Sequence, residues 1–355
     1  MNIERHILKW AAWVAAAGFS AGAWAAAPAP LPDEITNDQM VQLVEGAALG
    51  RSVWVIDSRP TGKFISGHIP GALSLPLDVL KKDWAEAEKL AIPKDGKTVF
   101  YCAGRECTLS PDSAKIFKDH GYTNAWVFRN GVPGWSQKQQ PLQAEPEFLK
   151  KGNVIVLDTA VGQPTLVAAG NQTVQLSLAD LQGERGKAIL TELSRNAPLV
   201  VLERANDRSV TNNTLDALRD LDFRRIAFMP LQAWTEPLAP APQISGPLHW
   251  APVYAKGQVS PQEFEAAVKS GQYILDVRPA ADHARGHYAQ SVSLPIEDME
   301  RDFARVPKDV TVYVHCATGA KSQKTYDILG RKGYTNVRYL DAEVNCKGAT
   351  CTIKE

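Results

Sequence analysis

Val310-Thr311-Val312-Tyr313-Val314-His315-Cys316-Ala317-Thr318-Gly319-Ala320-Lys321-Ser322 is a β-branched, apolar run that stops on a cysteine and passes through small residues into a helical stretch. A buried strand ending this way presents its sulfur to the first free N–H groups of the following helix, which favour a thiolate. The segment is therefore suited to handling an anionic sulfur. The same order occurs at Val99-Phe100-Tyr101-Cys102, followed by Ala103 to Ser110.

Working outward, the chain repeats itself. Val53 to Pro60 matches Tyr273 to Pro279, Gly67-His68 matches Gly286-His287, and Leu73-Ser74-Leu75-Pro76 matches Val292-Ser293-Leu294-Pro295. Gly121-Tyr122-Thr123-Asn124 returns verbatim as Gly333-Tyr334-Thr335-Asn336. A third, fainter copy lies between: Val154 to Asp158 follows the spacing of the first aspartate strand, and Leu199 to Glu203 that of the first cysteine strand. Glu203-x-x-Asn206-x-Arg208-Ser209 keeps the spacing of Cys316-x-x-Gly319-x-Lys321-Ser322 with the nucleophile lost.

In the outer copies Thr36 and Ser260 precede helical stretches as N-caps, with Gln39 or Glu263 three residues on and Pro261 at the first helical position. Short apolar strands alternating with helices predict an α/β fold: three tandem domains, each a mainly parallel sheet covered by helices on both faces, with sites at the carboxyl ends of strands. The expected bounds are 33–145, 150–240 and 250–355, with boundaries near Ala144 to Glu147 and in the proline-rich stretch Pro237 to Pro247.

Arg5 and Lys9 before an apolar stretch from Trp10 to about Ala23, then Ala23-Trp24-Ala25, read as a signal peptide over residues 1–25. The expected location is periplasmic or secreted, with no membrane contact after cleavage. Removing Glu4, Arg5 and Lys9 from the 39 acidic and 39 basic residues leaves 38 and 37. A balance so near zero gives no reason to expect nucleic acid or an anionic membrane as partner.

Five cysteines are too few for a disulfide scaffold, but Cys102 with Cys107 and Cys346 with Cys351 share the spacing Cys-x4-Cys and form candidate redox pairs in an oxidising compartment. Zinc is disfavoured, because neither pair is followed by the His or Cys partners of a tetrahedral site.

Asp57-x-Arg59 and its counterpart at 276 to 278, Gly-His-Ile-Pro-Gly-Ala at 67 to 72, Tyr101-Cys102, Gly131-Val132-Pro133-Gly134-Trp135 and Cys316-x-x-Gly319-x-Lys321 together resemble the rhodanese (thiosulfate sulfurtransferase) family. The resemblance covers nearly all of the chain beyond residue 25, with the middle copy degenerate. It implies a cysteine, here Cys102 and Cys316, that takes a sulfane sulfur from a donor as a persulfide and gives it to a thiophilic acceptor. The partners implied are a small sulfur-containing anion and a small or protein thiol; no metal or organic cofactor belongs to that chemistry. Gly104 and Arg105 in the first domain, and Gly319, Lys321 and Ser322 in the third, are the candidate anion-binding residues, with Lys324 as further charge.

Three departures stand out. Lys321 replaces the usual arginine, a point charge for a planar fork; Cys107 occupies the corresponding place in the first domain; and the third domain ends in Asn345 to Cys351 in place of Gly-x-Pro-Gly-Trp. Asp57, Arg59, Asp276 and Arg278 read as ion pairs that hold loops. Cysteine phosphatases resemble His-Cys-x5-Arg, one residue longer than this loop. The other alternative is a non-catalytic sulfur-binding or thiol/disulfide redox module.

Overall fold

A computed structural model describes residues 33–46, 49–204, 208–244 and 246–354. The expected leader lies outside these residues. Among them no helix is long and apolar enough to cross a membrane.

Three parallel sheets follow one another along the chain. The first contains β1 (Val53–Asp57), β2 (Leu73–Ser74), β3 (Lys97–Tyr101) and β4 (Ala125–Phe128), in the order β2-β1-β3-β4. The second contains β5 (Ile155–Asp158), β6 (Gln172–Gln175), β7 (Leu199–Glu203) and β8 (Ile226–Pro230), in the order β6-β5-β7-β8. The third contains β9 (Gln258–Val259), β10 (Tyr273–Asp276), β11 (Ser291–Ser293), β12 (Val312–His315) and β13 (Val337–Leu340), in the order β11-β10-β12-β13-β9. The parallel pairing requires helical crossovers. Both faces of each sheet are accordingly packed, which is why β1, β5 and β7 are buried at every position.

The likeness extends to the sheet edge. β9 pairs with β13; in the first sheet Glu34 bridges Val127 of β4, and in the second Gln143 bridges Phe228 of β8. Gln143 also bridges His68 in a loop of the first domain, so the chain next to the expected boundary ties the second sheet to the first domain rather than hanging free. The middle domain likewise extends past 240: Thr165 bridges Ala239, and Leu248 and Trp250 pack on its core.

Register fixes the sites. Asp57 lies opposite Tyr101 and Asp276 opposite His315, so Cys102 and Cys316 stand one residue beyond the partner of the aspartate. Leu157 opposite Val201 gives Glu203 that same place in the middle sheet. Thr36 forms the expected capping box with Gln39, and Ser260 caps the backbone of Glu263.

Candidate functional site

Cys102 leaves the end of β3 immediately before a loop that turns into helix Leu109–Asp119. Its sulfur is almost fully buried, 3.4 Å from the Ser110 hydroxyl. Burial disfavours the thiolate, but the Cys107 thiol, the Ser110 hydroxyl and the backbone N–H groups of Ser110 and Gly104 donate toward it and lower its pKa from 9.0 to about 7. The Cys107 thiol, donating to that sulfur in a buried place, is pushed well above its ordinary value. The pair behaves as one thiolate held by one thiol. Both are free cysteines.

The loop is gripped from outside. Arg129, just past β4, donates to the carbonyls of Arg105 and Cys107 and lies 3.8 Å from Glu34. Gly131 has a φ of +53°, and a Cβ there would come 2.2 Å from the Cys102 carbonyl oxygen. Val132 donates its N–H to that same carbonyl at 3.1 Å. The Gly131–Gln137 helix thus sets the floor of the loop. Neither Arg129 nor Glu34 stood out in the sequence; the position of Arg129 at the carboxyl end of a strand is the signal that could have found it.

Cys316 has the same backbone setting, ahead of helix Ala320–Arg331, with a different polar neighbourhood. The Ser322 hydroxyl is 4.0 Å from its sulfur and only 2.6 Å from the carbonyl oxygens of Gly319 and Leu340. Its proton belongs to those carbonyls, so Ser322 does for the loop what Ser110 does for the sulfur. Gly319, at φ +86°, allows the loop to pass so close to Asp341 that a Cβ would meet its Oδ1 at 2.1 Å. Lys321 is mostly buried and held by Glu297 at 2.9 Å, which balances its charge. Burial lowers the pKa of Lys324.

Where the first domain uses Gly-x-Pro-Gly-Trp, the third uses an antiparallel hairpin, β14 (Glu343–Lys347) with β15 (Thr350–Lys354). Val344 donates to the Ala317 carbonyl as Val132 does to that of Cys102, and Gly348 at the turn accepts from His287 as Gln143 does from His68. A disulfide between the facing residues Cys346 and Cys351 closes the hairpin. Of the two candidate redox pairs, this one is bonded and Cys102 with Cys107 is not.

The aspartate–arginine pairs hold loops in every copy. Arg59 donates to Asp57 and to the Gly67 carbonyl, Arg278 to Asp276 and the Gly286 carbonyl. In the middle copy Arg204, one residue past the strand that ends on Glu203, reaches Asp158 at 2.6 Å. Glu203 itself is buried and paired with Arg208 at 2.9 Å, so an acidic side chain fills the place of the sulfur. His315 is turned toward Asp276, Phe264 and Tyr288 in the core; burial lowers its pKa to about 4 despite the attraction of Asp276 at 3.6 Å.

The cysteine faces of the first and third domains meet. Lys63 pairs with Asp341 at 2.7 Å and Arg285 with Glu106 at 3.2 Å. Between them lies a cavity of about 630 Å³ lined by Gly104, Arg105, Asn130, Arg278, Thr318 and Cys346, among others. Arg105 is half exposed there, near Asn130 and Glu34. No group of His, Cys, Asp and Glu among the described residues is arranged to hold a metal ion.

A parallel α/β module with a buried cysteine just past a strand end, present twice and echoed a third time without the cysteine, defines the class by fold and site. The Rhodanese-like domain family model matches residues 36–138 and 260–344, more than half of the chain, and the chain belongs to that family. An HTH-type transcriptional regulator of Mycobacterium tuberculosis is 33% identical over 89 residues, 25% of this chain and 35% of its own length. A sulfurtransferase of Allochromatium vinosum is 30% identical over 67 residues, 19% of this chain and 63% of its own. The chain thus spans under two thirds of either relative. Among solved structures, a 3-mercaptopyruvate sulfotransferase of Escherichia coli is 14% identical, with 88% of this chain and 99% of that one covered at a TM-score of 0.30.

Proposed function

We propose that this chain is a sulfurtransferase that moves a sulfane sulfur from a donor such as thiosulfate to a thiophilic acceptor, a small molecule or a protein thiol, through a persulfide on Cys102. The observation that carries the reading is the buried Cys102 sulfur, its pKa brought to about 7 by donors from Cys107, Ser110 and Gly104 against the cost of burial. The thiolate attacks the outer sulfur of the donor; an S–S bond to Cys102 forms, the bond to the sulfonate breaks, and sulfite leaves with its electron pair. An acceptor thiolate then takes the outer sulfur, and Cys102 leaves in the same stabilised thiolate form. The same donors that favour attack favour release, so one arrangement serves both half-reactions.

Cys316 is the second candidate nucleophile. Ser322 being committed to carbonyls makes Cys102 the better prepared of the two. Glu203, already carrying negative charge, supports an inactive middle copy. The leader expected over residues 1–25, together with the Cys346–Cys351 disulfide, supports a proposal of export to an oxidising compartment.

A thiol/disulfide redox module is the rival reading, favoured by the contact between Cys102 and Cys107. Mass spectrometry after incubation with thiosulfate separates the two. A gain of one sulfur on Cys102 supports transfer, whereas a change of only two hydrogens on reduction refutes it.

A further inference from the structure

Cys102 does not face the space between the domains; Cys107 does. A narrow crevice with about 10 Å³ of free volume, roughly one water's worth, is lined by Glu106 and Cys107 from the first domain and by Arg278, Cys316, Thr318 and Lys321 from the third. Cys107 touches the Cys102 sulfur on one side and opens on the crevice that Cys316 lines on the other. All three thiols are free and buried. Cys107 and Lys321 stand five positions after Cys102 and Cys316 respectively, so the two loops meet through equivalent positions. Arg278 adds a positive charge close enough to act on Cys316.

We infer that Cys107 is a relay thiol that carries sulfane sulfur from Cys102 to Cys316 across the interface of the first and third domains, an inference that rests on the persulfide reading above. In the first step Cys107 gives its proton to the terminal sulfur of the Cys102 persulfide and attacks it. A bond from Cys107 to that sulfur forms, the bond to Cys102 breaks, and Cys102 departs as thiolate. In the second step Cys316 attacks the sulfur now on Cys107; the new bond forms to Cys316, the old one breaks, and the Cys316 proton returns to Cys107. Each step exchanges one S–S bond for another, so no oxidant or reductant is consumed. The transfer would let one domain load from a small donor while the other delivers to an acceptor at a separate surface.

The test uses the reduced full-length protein and one equivalent of thiosulfate labelled in its outer sulfur, with alkylation at timed intervals and peptide mass spectrometry. Label should reach Cys102 first and Cys316 later. In Cys107→Ser, whose hydroxyl still donates toward Cys102, the ratio of Cys316 label to Cys102 label should fall at least tenfold. An unchanged ratio, or normal labelling of Cys316 in Cys102→Ser, would overturn the relay while leaving persulfide chemistry standing. No label on any cysteine, with inorganic polysulfide tried as a second probe, would sink the persulfide reading and the relay with it. Independently of donor, copper-phenanthroline oxidation of Cys102→Ser should yield a Cys107–Cys316 disulfide, and its absence would show that the two sulfurs do not meet.

Discussion

Removing the Ser110 hydroxyl is the most direct probe of how Cys102 is activated. Ser110 and Cys102 are each about 1% exposed, and the hydroxyl lies 3.4 Å from the sulfur, so no bulk water replaces it in Ser110→Ala. A hydrogen bond to a charged group contributes about 1.5–3 kcal/mol, and the lower end suits a diffuse sulfur that keeps its Cys107 and backbone donors. At about 1.4 kcal/mol per pKa unit, the Cys102 midpoint should rise by about one unit, from about 7 to about 8. The thiolate fraction at pH 7 then drops from about a half to about a tenth, a roughly fivefold slower reaction, while at pH 9 the two proteins become nearly equal. The assay is the pH profile of Cys102 alkylation by iodoacetamide, followed peptide by peptide. The control is Ser322→Ala, which should leave the rate of Cys316 alkylation at pH 7 within twofold and instead lower thermal stability, since two buried carbonyls lose their donor. A Ser110→Ala midpoint within about 0.3 units of wild type would refute the reasoning and move the activation to Cys107 and the backbone.

Gly131→Ala should cost domain one more than 1 kcal/mol and slow Cys102 loading at least tenfold, because the added methyl meets the Cys102 carbonyl at 2.2 Å in a left-handed backbone; normal loading kinetics would show that the loop tolerates displacement. His315 makes the third domain acid-sensitive. Its folded pKa of about 4 lies below the unfolded 6.5, so the unfolded chain binds the proton first and stability falls between pH 6.5 and about 4 by about 3 kcal/mol. Denaturation midpoints at pH 7 and pH 4.5 should converge in His315→Leu relative to wild type, and an unaltered pH slope would count against a neutral buried imidazole.

Much of this was legible because it is written in strand ends. Asp57 and Asp276 terminate apolar runs, and the chain repeats around them, so the three-domain parallel α/β organisation, the candidate cysteines and the loss at Glu203 follow from spacing alone. What spacing could not convey is where a proton points. Ser110 and Ser322 follow similar loops, yet one hydroxyl serves a sulfur and the other two carbonyls. Lys321 reads as a free cation in sequence and is paired with Glu297 from a different helix. Arg129 and Glu34 hold the first loop from opposite ends of a domain, and Cys107 lines the same crevice as Cys316 although some two hundred residues of chain separate them. These are consequences of tertiary packing, invisible to any local pattern.

The meeting of the first and third domains has a further consequence for the copy between them. The cross-interface ion pairs, Lys63 with Asp341 and Arg285 with Glu106, are partly solvated and worth at most about 1 kcal/mol each. Two separate domains would not find each other on such terms. Joined through an intervening folded sheet, each sees the other at an effective concentration on the order of millimolar, set by the span and stiffness of the connection. The middle copy is tied at both junctions: Gln143 links it to His68 of the first domain, and Trp250, just ahead of the third, donates back to the Asn153 carbonyl. Under the proposed relay, a domain without a cysteine of its own would still govern the chemistry, by acting as the spacer that sets how often two thiols elsewhere in the chain encounter one another.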